Sequence, residues 1–151
     1  LDADMTVPPE GLPRFIEAMV TGKGDFINGV RLVYPLEDQS MRFLNMVINK
    51  AFSQLLSWLL NQPVKDTLCG TKALWKKDYE KMRQNPDNLA LLDPFGDFDL
   101  LFNAARINLK IVDLPVRYRR RTYGTTKTKR WKHGWMLLKL VFFTARRIKF
   151  R

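Results

Sequence analysis

The stretch MRFLNMVINKAFSQLLSWLLNQP, residues 41–63, constrains the fold more than any other. Its apolar residues recur at helical spacing, which predicts one long helix. The polar positions Asn45, Asn49, Ser53 and Ser57 fall four apart, with Lys50 and Gln54 beside them, and nearly everything else is apolar. A helix with so narrow a polar stripe is either buried on most sides or lies in a bilayer interface. It does not cross a membrane, because no apolar run in the chain reaches the roughly 18–20 residues a span needs. The longest rival, WMLLKLVFFTA, is broken by Lys139 and followed by Arg146 and Arg147.

Around this helix the pattern alternates between strand and helix signals. DADMTVPPEGLPRFIEAMVTGKG reads as a strand end, a proline-rich turn and a helix ending near Gly22 or Gly24. DFINGVRLVYP has the β-branched and aromatic character of a strand, closed by Pro35. VKDTLCGTKALWKKDYEKM is a short strand or loop leading into a helix. NPDNLALLDP carries turn signals, and FGDFDLLFNAARIN reads as a helix whose acidic start suits the macrodipole. LKIVDLPVRYRRR alternates like an edge strand, with Pro115 inside it. Residues 131–151 form an amphipathic helix with aromatics on one side and Lys/Arg on the other. The expected class is α/β, with 151 residues giving enough chain for one real core.

Charge is distributed unevenly. The net charge is +11, and residues 117–151 hold 13 of the 26 Lys and Arg and none of the 15 Asp and Glu. A near-neutral body therefore carries a basic tail, and the partner of that charge meets the C-terminal end. The densest segment is RRRTYGTTK, residues 119–127. It suits a nucleic-acid backbone, an anionic membrane or a phosphorylated substrate. The single cysteine, Cys69, excludes a disulfide framework and suits a reducing compartment. The abrupt start at LDAD, without Met, is expected to mark a piece of a longer chain.

Three stretches carry candidate chemistry. Asp2 and Asp4 fall on one side of an extended segment, a spacing that can hold Mg2+ or Mn2+ with positions open for phosphate oxygens. The same pair also reads as a solvated turn or helix cap. Asp97 and Asp99 sit in an apolar setting that would raise a carboxylate's pKa and suit a general base, although helix capping explains one of them equally well. In the basic segment, Gly124 permits close backbone approach while Arg121 and Lys127 bracket it, an arrangement suited to phosphate.

Taken in order, DAD…PPE, NGVR, the wide apolar helix, VKDTLCGTKAL, FGDFDLLF and LPVRYRRRTYGTTK resemble the family 2 glycosyltransferases. The likeness is to their dolichyl-phosphate mannose synthase-like branch and runs to about residue 127. It implies a GT-A-type, Rossmann-like nucleotide-diphospho-sugar transferase. Residues 1–130 would be the C-terminal part of the catalytic domain and 131–151 a basic, membrane-proximal helix. The nucleotide-binding half would precede Leu1, so the piece alone is expected to be inactive.

The resemblance also implies roles. Asp2 and Asp4 match the metal pair that holds the donor diphosphate on Mg2+ or Mn2+. Arg121, Gly124 and Lys127 match an Arg-x-x-Gly-x-Ser-Lys loop over donor and acceptor phosphates, with Thr126 for the serine. Arg31 and Arg42 sit where relatives contact an acceptor lipid phosphate. Asp99 aligns with an acidic residue of relatives, and Asp97 can be matched to the catalytic base of other branches. DTLCGTK departs from the commoner Asp-x-x-Ser-Gly-Phe-Arg/Lys pattern at Cys69 and Thr71.

The implied activity is metal-dependent transfer of a sugar from a nucleotide-sugar to a lipid-linked, polyprenyl-phosphate-like or other membrane-proximal acceptor. The protein would be peripheral and monotopic at the cytoplasmic face of an anionic membrane, and no nucleic acid is expected as a partner. Two rival readings are a basic nucleic-acid-binding module and an inert membrane-associating fragment. The first leaves Asp2, Asp4 and the wide apolar helix unexplained.

Overall fold

A computed structural model describes residues 7–31, 40–67, 69–84 and 96–117, together with 135, 138, 139, 141, 142, 145 and 146; for 40–46 and 48 it describes the backbone alone. Pro9–Gly11 forms a single 3-10 turn that runs into α1, Leu12–Val20. The remaining elements are β1 (Phe26–Val30), α2 (Ser40–Leu60), β2 (Lys72–Leu74), α3 (Lys76–Arg83), α4 (Asp97–Arg106) and β3 (Ile111–Pro115).

The three strands form one mixed sheet in the order β2-β1-β3, with β2 antiparallel and β3 parallel to the central β1. Every residue of β1 is buried. Its alternation sorts the core into two layers, because successive side chains leave a strand on opposite faces. Phe26 packs with Leu56, Leu59, Phe98, Leu101, Phe102 and Ile111, beneath α2 and α4. Ile27 packs with Phe15, Ala18 and Met19 of α1 and with Cys69 and Val116. Each fully buried Leu or Phe contributes about 1.5–3 kcal/mol relative to exposure. This is the mixed α/β fold the alternating pattern implied.

Helix ends follow local chemistry. α1 stops where Gly22 takes φ +69°, and the N–H groups of Gly22 and Lys23 bond back to the carbonyls of Met19 (3.1 Å) and Ala18 (3.0 Å). That is the Schellman closure expected of a C-terminal glycine. Asn108 does the same for α4 at φ +59°, with Leu109 N–H reaching the Ala104 carbonyl at 2.9 Å. β3 lies at an edge of this sheet, where Pro115 is tolerated. The Gln62 amide lines that edge, accepting from Ile111 N–H at 2.8 Å and donating to the Leu109 carbonyl at 2.9 Å.

α2 turns part of its polar stripe inward, while Lys50 and Gln54 stay exposed. Asn49 and Ser53 are buried, whereas Val47, Leu55 and Trp58 are exposed. The serines are useful inside because they satisfy the chain that leaves the helix. Ser53 Oγ donates to the Val64 carbonyl at 2.7 Å, and Ser57 Oγ accepts from Val64 N–H at 2.9 Å. The helix thus buries Leu56 and Leu59 on one side and leaves apolar surface on the other. In the C-terminal tail, Val141 is buried in the same core while Trp135, Leu138 and Phe142 are exposed. Among the described residues, no helix is long and apolar enough to cross a membrane.

Candidate functional site

A polar layer crosses the sheet where β1 and β3 run side by side. Register sets Asn28 opposite Asp113. The Asn28 amide donates to Asp113 Oδ1 at 2.8 Å and to the Asp66 carbonyl at 2.9 Å. Asp113 Oδ2 accepts from the Lys65 backbone N–H at 2.8 Å. Burial pushes the Asp113 carboxyl above the ordinary aspartate range, and the hydrogen bonds from Asn28 and Lys65 only partly offset it. The outcome is a loop, 64–67, tied to both strands by side-chain contacts.

That loop presents Asp66, whose side chain is 0% exposed, to Arg31 just beyond β1. Arg31 Nε donates to Asp66 Oδ2 at 2.8 Å and Nη2 to Oδ1 at 3.0 Å, while Arg31 N–H adds a third bond to Oδ2 at 3.1 Å. Paired N–H donors on a planar carboxylate fix an arginine in direction as well as place. The Arg31 side chain remains 24% exposed, so it is the less buried member of the pair.

A second ion pair follows six residues later. Lys72 of β2 is 3% exposed at its side chain and donates to Asp97 Oδ1 at 2.6 Å. It also donates to the Cys69 carbonyl. Between the pairs the chain passes close to β1. A Cβ on Gly29 would stand 2.8 Å from the Thr71 carbonyl oxygen and 2.9 Å from Cys69 Sγ, so only glycine fits there. Burial raises the Cys69 thiol pKa, leaving it a protonated, inert core group at neutral pH.

Of the residues singled out from sequence, Arg31 and Asp97 lie on either side of segment 66–72, which supplies a partner to each. Asp99 accepts from Asn103 Nδ2 on its own helix at 3.0 Å. Arg42 falls in the first turn of α2, with its side chain outside the described residues. Asp2, Asp4, Arg121, Gly124 and Lys127 also lie outside them. Among the described residues, no group of three or more His, Cys, Asp or Glu side chains could hold a metal ion. Asn28, Asp66, Lys72 and Asp113 were not anticipated as site residues. Asn28 and Asp113 did carry a signal, as lone polar residues inside the apolar strands FINGV and IVDLP.

The chain is 32% identical over 126 residues to a dolichyl-phosphate hexose transferase of Haloferax volcanii. The match takes in 83% of this chain and 51% of the relative, so the chain spans about half the relative's length. Any 126-residue stretch of this chain contains residues 26–126, and with them both ion pairs and the Asn28–Asp113 contact. No family profile and no solved structure matches. The name of this relative points toward a hexosyltransferase.

Proposed function

We propose that this chain is the acceptor-side part of a GT-A-type glycosyltransferase that moves a hexose from a nucleotide-sugar to a dolichyl-phosphate-type acceptor at a membrane surface. The observation that carries this reading is the likeness to the haloarchaeal transferase across a stretch containing the Arg31–Asp66 fork.

The chemistry asks little of the protein by way of proton transfer. A phosphate monoester has its second pKa near about 6 and is mostly dianionic at neutral pH. One of its oxygens attacks the anomeric carbon, the bond from that carbon to the donor diphosphate breaks, and the electron pair leaves with the nucleoside diphosphate. The enzyme's task is to hold anions together and to stabilise the leaving charge. Arg31, held by Asp66 and partly exposed, takes the acceptor phosphate, aided by Arg42. Arg121 and Lys127 close over phosphates around Gly124. Asp2 and Asp4 would hold Mg2+ or Mn2+, which supplies positive charge at the donor diphosphate. With a phosphate acceptor, Asp97 and Asp99 need take no proton, and their part is to set the start of α4.

The exposed apolar face of α2, together with Trp135, Leu138 and Phe142, suits peripheral docking on the anionic cytoplasmic leaflet. Each Lys or Arg held near such a surface adds about 1 kcal/mol. Such docking would bring a lipid-borne phosphate to the surface on which Arg31 lies.

The test is transfer of labelled hexose from nucleotide-hexoses to dolichyl phosphate by the complete protein. Labelled lipid is expected with metal and is expected to vanish with chelator or with Asp4→Ala. Chelator-resistant transfer would remove the metal role, and no transfer to any polyprenyl phosphate would remove the acceptor class.

A further inference from the structure

We propose that Asn28 and Asp113 are positioning residues for Arg31, holding the buried Asp66 carboxylate in the place that, through the Nε/Nη2 fork, orients the guanidinium toward the acceptor phosphate. The inference rests on the acceptor-phosphate reading above and adds to it the parts that make Arg31 directional.

The contacts run in one series. Asp113 fixes the Lys65 N–H and the Asn28 amide, Asn28 fixes the Asp66 carbonyl, and Asp66 fixes three N–H groups of Arg31. Each distance is between 2.8 and 3.1 Å. Asp66 itself is sealed from solvent, so its carboxylate has little freedom except through the backbone that carries it. That backbone is what Asn28 and Asp113 hold.

The arrangement carries a cost of its own. Asn28 donates to two oxygens, and in doing so leaves its own Oδ1 buried without a partner. An unpaired buried acceptor is unfavourable, and exchanging two buried polar partners for apolar groups of similar shape is often neutral or stabilising. An apolar pair at 28 and 113 would continue the packing of Phe26 and Ile111 on the same face. What such a pair could not do is fix the Asp66 carbonyl and the Lys65 N–H. The register that sets residue 28 beside residue 113 therefore serves the loop, and through it Arg31.

The experiment is steady-state kinetics of the complete protein with dolichyl phosphate and nucleotide-hexose. Asn28→Ser and Asp113→Asn are each measured alone and in an Arg31→Lys background, which retains charge but lacks the fork. Alone, each is expected to raise the acceptor KM by about fivefold, leaving donor KM and kcat within about twofold. In the Arg31→Lys background the further rise should shrink below about twofold, because the residues act through the fork already lost. Equal rises in both backgrounds, or donor KM and kcat moving in step, would show a packing role and overturn the proposal. An Arg31→Lys effect with no effect from Asn28→Ser would overturn it while leaving the acceptor reading intact. An acceptor KM indifferent to Arg31→Lys would overturn both. Asp113→Asn is the isosteric change and carries the test alone if Asn28→Ser fails to fold.

Discussion

The two ion pairs beside segment 66–72 are built with opposite polarity. In Arg31–Asp66 the carboxylate is sealed and the cation is partly open; in Lys72–Asp97 the lysine is sealed and the carboxylate, at 18% exposure, is the more open member. The same short stretch of chain therefore turns a cation outward at one end and an anion outward at the other. An outward arginine held by two parallel bonds can receive a phosphate. A carboxylate such as Asp97, bonded to Lys72, offers no donor to a phosphate. On the proposed function, the difference separates a group that would bind the acceptor phosphate from a group at the start of a helix.

The asymmetry makes its own predictions about stability. Removing the open member of a pair strands a buried charge, while removing the sealed member lets the survivor turn to water. Arg31→Met should thus destabilise by about 3–5 kcal/mol, and Asp66→Asn by about 2 kcal/mol, in chemical denaturation of the complete protein. A reversed order would break the comparison.

The second pair should show the same order on a smaller scale. Asp97→Asn leaves Lys72 buried but still bonded to the Cys69 carbonyl, so a cost of about 2 kcal/mol is expected, against about 1 kcal/mol for Lys72→Met. If Lys72→Met proves the more damaging, Lys72 is chiefly a support for the Cys69 turn.

Asp113 sharpens the comparison as a carboxylate held by two N–H donors, from Asn28 and Lys65. Its pKa in the fold is raised by burial, so the folded state binds the proton more tightly than the unfolded chain does. Its contribution to stability is therefore present below the ordinary aspartate value of 3.8 and is lost as pH rises through the raised value in the fold. Melting curves from pH 4 upward should show this decline, and Asp113→Asn should flatten it. A decline unchanged in the variant would assign it to another group.

The outer face of α2 lies away from both pairs and supplies the smallest stability effect. Trp58→Ser should shift unfolding by no more than about 0.5 kcal/mol, as for other exposed sites. It should nevertheless reduce flotation with vesicles containing phosphatidylserine, most clearly at low salt. Undiminished flotation would detach this face from the membrane.

The sequence was most informative where a local rule decides structure. Gly22, Pro115 and the acidic start of α4 each marked an element end or edge that the structure has. α2 was legible as a helix, but its facing was not, because Ser53 and Ser57 turn inward to serve a backbone segment that no periodicity describes. The polar layer was legible only in part. Asn28 and Asp113 lie 85 residues apart and meet through strand register, which pattern alone does not supply. Asp66 stood inside a recognised motif, yet its role depends on Arg31 being brought to it from another element.

The proposed function rests on binding of the acceptor phosphate by Arg31 held on Asp66. Its most direct test is the kinetics of Asp66→Asn in the complete protein, with dolichyl phosphate varied at saturating donor and donor varied at saturating acceptor. Loss of the charged, bidentate anchor is expected to raise the acceptor KM by about tenfold and leave the donor KM unchanged. An unchanged acceptor KM in a folded Asp66→Asn variant would contradict the claim.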